Sequence, residues 1–262
     1  MNLSEYAAMY RVEDSLWWYV GMRRIVASLV GERLRTARRV LDAGCGTGGT
    51  LAWWHRVAVD PDRAEGTGID LSPEATGLAA RRGLPRLGRA SVSALPFPDA
   101  AFDGVLSLAV IYHLDVADDR RALGEIARVV RPGGWACVRV PAFDSLRSAH
   151  DAAVHTRHRY RLGDLAERVA GVGLHVDRAT YANALLFPAA VASRLRRRNG
   201  AHASWGGATD GTPHASDVHP ASSVVQAVGT IALDLEARLL RVIDVPFGLS
   251  AVVVATRPGG AS

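Results

Sequence analysis

The 262-residue sequence contains no lysine; all 31 of its positive side chains are arginine. Guanidinium groups fork onto carboxylates and phosphates better than ammonium groups do. A complete absence of lysine beside abundant alanine and glycine nevertheless reads as a genome-wide compositional bias, not a binding adaptation. The net charge of +5 therefore does not itself indicate nucleic acid, and no basic-aromatic recognition module accompanies it. Cysteine is nearly absent too. Cys45 in a glycine loop and Cys137 in an apolar run cannot build a disulfide framework and read as buried free thiols in a reducing compartment. Membrane-length apolar runs are missing: residues 181–192 and 224–233 fall short of a span. No early basic-then-apolar segment leads to a small-residue cleavage site. These absences lead to the expectation of a cytoplasmic globular protein, 48% hydrophobic and 22% charged, with room for one substantial core and an attached cap.

What is present is strand–helix alternation around a glycine loop. Residues 4–35 carry a helical period that includes the aromatic cluster Trp17-Trp18-Tyr19. Residues 39–43 then predict a strand, 50–56 a helix and 66–71 a second strand. In Ser72-Pro73-Glu74, an N-cap serine, a proline at N1 and a first-turn acid predict a helix that runs to Arg82 and stops at Gly83. Further strands are expected at 87–92, 102–108 and 135–140, with a helix over 118–130 ended by Pro132-Gly133-Gly134. Beyond Pro141 come helices at 161–170, 184–198 and 224–242 and strands at 173–181 and 249–256. Residues 199–221 read as a mobile loop. The pattern predicts an α/β fold whose largely parallel sheet is covered by helices and binds its ligand beyond the carboxyl ends of the strands. The expected organisation is a helical lid (1–36), a cofactor-binding core (37–183), a helical cap insertion (184–245) with the flexible loop, and a final core strand and tail (246–262).

The loop runs Leu41-Asp42-Ala43-Gly44-Cys45-Gly46-Thr47-Gly48-Gly49. Gly44, Gly46 and Gly49 satisfy the spacing of the dinucleotide fingerprint, and spacing alone would make this a nicotinamide enzyme. Asp42 disagrees. A carboxylate at the end of this strand repels a pyrophosphate but suits an ammonium or sulfonium group. Asp70, ending the second strand, is placed to accept bonds from two ribose hydroxyls. Together they indicate a nucleoside with an amino-acid end. Read singly, each acid is equally a helix cap or a surface charge.

Residues 41–48, Gly68-Ile69-Asp70-Leu71-Ser72, Leu95-Pro96-Phe97, Phe102-Asp103 and residues 128–134 resemble, in order, the motifs of class I S-adenosylmethionine-dependent methyltransferases. The ubiquinone/menaquinone-type small-molecule enzymes are the most similar group. Residues 13–24, 141–160 and 246–250 also resemble a bacterial subfamily with an aromatic N-terminal segment. The resemblance implies a Rossmann-like fold with a seven-stranded sheet, S-adenosylmethionine as cofactor and S-adenosylhomocysteine as product. On matching positions it implies that Gly44, Gly46 and Gly48 wall the methionine portion and ribose, with Asp42 facing the amino-acid end. Asp70 would hold the ribose hydroxyls, Leu71 and Val92 would border adenine, and Ala109 would lie near the amino group or sulfonium. Ser91 stands where the family often has an acid contacting the adenine amino group. The helix carrying Tyr19 and Arg23 would cover the cofactor mouth, with Arg23 paired to the donor carboxylate, although a further basic residue common in the family is replaced here by Val20.

Methyl transfer from a sulfonium is an in-line displacement that needs alignment and, for oxygen and some nitrogen acceptors, removal of a proton. It requires no metal, and none is expected. His113, after the fourth strand, suits a general base or packs its loop, while Tyr112 lines the pocket. His150, Asp151, His155, Arg157, Arg159 and Tyr160 form a polar segment after the fifth strand. It would supply a base pair, an arginine-lined anion site or a structural network locking the cap. Tyr181, Asn183 and Phe187 would line an acceptor chamber or simply pack. Oxygen, nitrogen and carbon acceptors all stay open; for carbon, Tyr19 or Tyr181 matters more than His113. The expected function is methylation of a small molecule in specialised or cell-envelope metabolism. Alternatives are a cyclase that keeps the donor cradle, a non-catalytic binding protein and, against Asp42, an oxidoreductase. The expected partner is a small-molecule acceptor, without nucleic acid or stable membrane insertion; a homodimer is left open.

Overall fold

In the computed structural model, which describes residues 3–198 and 221–259, the alternation resolves into one sheet with helices on both faces. Helices α1 (Leu3–Val12), α2 (Trp17–Val30) and α3 (Glu32–Thr36) lead into β1 (Arg39–Ala43). Then follow α4 (Gly49–Val57), β2 (Glu65–Asp70), α5 (Pro73–Ala80), β3 (Leu87–Arg89) and β4 (Phe102–Leu108). The chain continues through α6 (Asp119–Val129), β5 (Val130–Pro141), α7 (Ala149–Ala153), α8 (Leu162–Ala170) and β6 (His175–Ala182). It ends with α9 (Phe187–Arg198), α10 (Ser223–Leu239) and β7 (Ser250–Thr256). Among the described residues the strand order is β3-β2-β1-β4-β5-β7-β6, parallel except for β7, which runs antiparallel to both neighbours. This is the Rossmann-like, seven-stranded class I methyltransferase fold. Most of the loop expected at 199–221 (residues 199–220) falls outside the described residues.

Local chemistry explains the main boundaries. Ser72 accepts the Ala75 N–H at 3.2 Å, and Pro73 occupies the first helical position of α5. Asp118 caps α6 by accepting from Arg120 and Arg121, satisfying amides that have no partner inside the helix. Pro132-Gly133-Gly134 does not separate helix from strand as expected, because α6 already ends at Val129. Val130 pairs with Phe102, and the register shifts before Gly104 meets Trp135. Gly133 lies at φ +76° and donates to the Arg257 carbonyl at 2.8 Å, while Arg257 donates back to Gly134. The Pro-Gly-Gly run is thus an irregularity inside β5. The Arg257 side chain also donates to the carbonyls of Ala127, Arg128 and Val130, closing the end of α6.

Two other differences shape the site. β3 stops at Arg89, not at residue 92, which releases Ala90, Ser91 and Val92 to the cavity wall. α9 starts at Phe187 because the N–H groups of Ala184 and Leu185 are taken by the buried Glu236 carboxylate of α10. That bond ties α10 to the end of β6. α10 also lies on α2 at two glycine contacts: a Cβ on Gly21 would meet Leu233 at 2.3 Å, and one on Gly229 would meet Trp17 at 2.3 Å. Gln226 of α10 accepts from the Trp17 backbone and donates to the Ser15 carbonyl. α10 therefore buttresses α2. No helix among the described residues is long and apolar enough to cross a membrane.

Candidate active site

A cavity of about 720 Å³ opens over the carboxyl ends of the parallel strands, roofed by α1 and α2. In β1, Val40, Leu41 and Ala43 are sealed in the core, as expected for a central strand covered on both faces. The chain then turns through the glycine loop. Gly44 lies at φ +99°, and a Cβ there would strike Val110 at 2.2 Å, so this position combines a left-handed backbone with a close approach. The amides of Gly44 and Cys45 both donate to the Ile69 carbonyl at 2.8 Å, and Gly46 donates to Asp70 Oδ2 at 2.9 Å. The loop's N–H groups thus point into the end of β2, which leaves no row of free amides for a pyrophosphate.

Electrostatics give the same answer. Asp42, Asp70 and Glu13 all line the cavity, and burial raises the pKa of each. Asp42 is pushed up to about 7, by burial first and then by the charges of Asp70 and Glu13. Its Oδ2 is buried without a hydrogen-bond partner, an unusual and costly condition for a carboxylate oxygen. A cation supplied by a ligand would answer that deficit. Asp70 is held ready by the amides of Gly46 and Ser72. Leu71, Ala90, Ser91 and Val92 continue the same wall, with Ser91 Oγ accepting from the Ser93 amide at 3.2 Å. Ala109, at φ +66°, closes the end of β4 and donates to the Arg139 carbonyl at 2.8 Å. An amino-acid-bearing nucleoside, S-adenosylmethionine, fits this donor set; a dinucleotide does not.

The α1–α2 connection is tied down by groups whose role sequence reasoning did not assign. Glu13 of the α1–α2 connection accepts from Thr47 Oγ1 and, at 2.7 Å, from Arg82. Arg82 also pairs with Asp14 at 2.5 Å and stands over the Tyr10 ring. Tyr6 and Met9 complete the α1 wall. Burial, then the charge of Asp70, raises the Tyr6 phenol to about 12, so it remains a donor. These partners lie 34 and 69 residues from Glu13, too far apart for local spacing to show.

Several expected site residues sit elsewhere. Gly48 does not wall the ligand; it starts α4 at φ +82° and faces Ala79 and Leu84. Arg23 is buried with its guanidinium on the Glu13 carbonyl at 2.8 Å and is absent from the cavity wall. Tyr160 is sealed below the cavity, donating to Asp119 at 2.7 Å. Asp119 also takes Arg168 at 2.9 Å and lies 3.6 Å from Arg157 and 3.7 Å from His158. Arg157 and Tyr160 therefore belong to a network that locks the segment after β5. Tyr181 stacks on Phe143 at 4.9 Å and accepts from the Leu162 amide. Phe187 packs edge-on to Phe143 at 6.0 Å. Asn183 is buried and donates to Ser250 Oγ at 3.2 Å; of this pair only Ser250 reaches the cavity.

Most of the remaining candidates converge on the cavity, but His155 is absent from its wall. Trp18, Tyr19, Tyr112, His113, Asp151 and Arg159 line it. His113 Nδ1 stands 3.2 Å from Asp115 and its ring centroid 5.6 Å from that of His155; burial is the leading cause that lowers its pKa. Asp151 is forked by Arg159 at 2.8 and 3.0 Å and receives the Ser148 amide at 2.7 Å. Burial pulls its pKa up, but the Arg159 hydrogen bonds and Ser148 hold it below the usual carboxylate range. His150 falls in α7, with its side chain outside the described residues. Cys45 and Cys137 are buried free thiols, and burial raises both pKa values, which keeps them inert. Among the described residues no group of three His, Cys, Asp or Glu is placed to hold a metal ion. Arg139 of β5, absent from the sequence-based expectations, also reaches the wall.

Comparison with known proteins agrees with this geometry. A family model described as a methyltransferase domain matches residues 41–138. The chain is 38% identical over 109 residues to the O-methyltransferase rstn1 of Aspergillus nomiae, covering 40% of this chain and 48% of the relative. It is 35% identical over 150 residues to a malonyl-[acyl-carrier protein] O-methyltransferase of Pseudescherichia vulneris, covering 56% and 57%. The matches thus span about half the length of these relatives, and they do not single out a quinone-type subfamily. Among solved structures, the [4+2]-cyclase SpnF superposes with a TM-score of 0.55 at 22% identity, covering 90% of this chain and 81% of that one. Residues 41–138 thus match a methyltransferase domain, within a chain that has the class I methyltransferase fold, a fold whose cofactor is S-adenosylmethionine.

Proposed function

We propose that this protein transfers a methyl group from S-adenosylmethionine to a small-molecule acceptor. The observation that carries the proposal is the partnerless, buried Oδ2 of Asp42 at the end of a strand whose glycine loop opens into the same cavity as His113. When bound, the cofactor supplies an electrophilic methyl on a sulfonium. Asp42 receives its ammonium, Asp70 its ribose hydroxyls, and Ser91 and Val92 border the base. The acceptor occupies the far half of the cavity, between Trp18, Tyr112, Val154 and Leu249. His113, its pKa lowered by burial, is neutral at pH 7 and takes a proton from an oxygen or nitrogen acceptor. The two O-methyltransferases named above favour oxygen. Isothermal titration calorimetry tests the donor site: S-adenosylmethionine and S-adenosylhomocysteine are both expected to bind, and a chain that binds neither is not this enzyme.

A second function has one specific support, the shared fold of the [4+2]-cyclase. On that alternative the donor stays bound and unreacted while the same chamber folds a substrate into a ring. Release of S-adenosylhomocysteine during turnover distinguishes the two, because only methyl transfer produces it.

A further inference from the structure

The cavity is electrically lopsided. Asp42, Asp70 and Glu13 cluster around its donor end, with Glu5, Glu74 and Asp115 also on the wall; among the described residues the only wall cations besides the imidazole of His113 are Arg139 and Arg159, the latter paired with Asp151. Asp42 pairs across the sheet with Leu106, Leu106 pairs with Cys137, and Arg139 follows Cys137 by two residues on the same face of β5. Arg139 therefore lies two strands from Asp42, roughly 10 Å across the sheet, and nearer the ligand edge. Along that edge the order is Ser91, Asp70, Asp42, Ala109, Arg139 and Ser250, so Arg139 lies beyond Ala109 from the groups assigned to the donor.

Arg159, the other arginine on the wall, is forked on Asp151. Arg139 is different: no hydrogen bond or ion pair joins its guanidinium to any described residue. Its titratable neighbours are Tyr112, Cys137, Tyr19 and Asp42, and none stands close enough to form an ion pair with it. Burial lowers its pKa, against the opposing influence of Tyr112, Cys137, Tyr19 and Asp42. Around it, Tyr19 and Tyr112 have phenols whose pKa values burial raises, so both hydroxyls are donors at neutral pH. One cation and two hydroxyl donors, walled by Trp18, Val154 and Leu249, form a receptor for an oxyanion on an apolar body. A neutral occupant would bury the cation without a counter-charge, an expensive outcome.

We propose that Arg139 anchors an oxyanion of the acceptor, so that the molecule methylated here carries a carboxylate or a phosphate. This rests on the methyl-donor assignment above. The donor's own carboxylate is the competing occupant, and the test separates the two.

The full chain is saturated with S-adenosylhomocysteine and titrated calorimetrically with benzoate, phenyl phosphate and neutral benzamide. At least one anion is expected to bind tenfold or more tightly than benzamide. Arg139→Met should erase that preference and Arg139→Lys should keep part of it, with S-adenosylhomocysteine affinity within twofold of wild type in both. Without ligand, R139M should melt no lower than wild type, since it removes an uncompensated charge. Should R139M fail to fold, R139K and the wild-type preference still decide. Three results would overturn the proposal: no anion preference in the wild type, a preference that survives R139M, or loss of S-adenosylhomocysteine binding in R139M. The last would assign Arg139 to the donor carboxylate. Failure of S-adenosylhomocysteine to bind the wild type is a separate result that sinks the donor assignment. The anion titration of the unloaded protein then still judges Arg139.

Discussion

Asp42 and Asp151 line one cavity and are almost equally sealed, at 2% and 4% exposure, yet their surroundings differ in every other respect. Asp151 is met by the Arg159 fork and the Ser148 amide, and its pKa lies below the usual carboxylate range. Asp42 faces the charges of Asp70 and Glu13, has an oxygen with no partner, and is pushed up to about 7. The difference separates structure from function within one wall. A satisfied acid holds the segment after β5 in place, whereas an unsatisfied one stores a demand that a cationic ligand meets. Such local cost is typical of sites organised for binding rather than for stability.

The comparison breaks most visibly at Asp151. Asp151→Asn leaves the Arg159 guanidinium buried without its counter-charge, and removing one partner of a buried pair costs about 3–5 kcal/mol. Chemical denaturation should show a loss of that order, with S-adenosylhomocysteine affinity little changed in the folded fraction. A strong loss of donor affinity would instead place Asp151 in the cofactor site. Asp70→Ala should do the reverse. Hydrogen bonds to a charged group contribute about 1.5–3 kcal/mol, so removing the ribose contacts should weaken S-adenosylhomocysteine roughly 100-fold. Unchanged affinity in calorimetry would remove Asp70 from the site.

Asp42→Asn sharpens the contrast through its sign. In the ligand-free protein it replaces an unpartnered acid by a neutral amide and should raise stability at pH 8 by about 1–3 kcal/mol. The same change should cost about tenfold or more in S-adenosylhomocysteine affinity. Stability gained and affinity lost in one variant mark a binding residue; a loss of both would make Asp42 structural.

The donor half was far more legible in the sequence than the acceptor half, and the reason is geometric. Asp42, Gly44, Gly46 and Asp70 lie on one strand–loop turn and the end of the next strand, so local spacing nearly fixes their mutual placement. Even there Gly48 misled, because a glycine required for its left-handed backbone looks the same in sequence as one required for ligand approach. The lock on the α1–α2 connection needed Glu13 to meet Thr47 and Arg82, which no periodicity reveals. Arg139 sits in an apolar run, Trp135 to Val140, whose pattern indicates a buried strand and hides the charged position that reaches the cavity. Tyr160, Arg157 and Asp151 were visible as polar density, but that density serves a structural network and an ion pair as well as it serves catalysis. Only the position of Asp119, on a helix about forty residues earlier, decides the matter for Tyr160 and Arg157.

The pH dependence discriminates best between the two acids. Asp42 has a folded pKa of about 7, above its value near 3.9 in an unfolded chain. Between those values the folded protein keeps a proton that the unfolded chain has released, so the contribution of Asp42 to stability falls as pH rises from about 4 to about 7. Asp151 acts oppositely: its contribution is present above the ordinary carboxylate pKa and is lost as pH falls through its depressed folded value. Donor binding inverts the cost at Asp42, because the ammonium of S-adenosylhomocysteine favours the ionised carboxylate. Binding below pH 7 must then expel the Asp42 proton, and affinity should rise with pH by at most about tenfold per unit before levelling above 7. Asp70 and Glu13 raise the Asp42 pKa and Arg139 lowers it, so these neighbours set where the curve bends. Calorimetry in buffers of different ionisation enthalpy should detect proton release near pH 6 and little at pH 8. Asp42→Asn should flatten the profile while Asp151→Asn leaves it intact. A slope that persists in the Asp42 variant would move the titrating group to Asp70 or Glu13, leaving the unpartnered oxygen of Asp42 without a ligand to explain it.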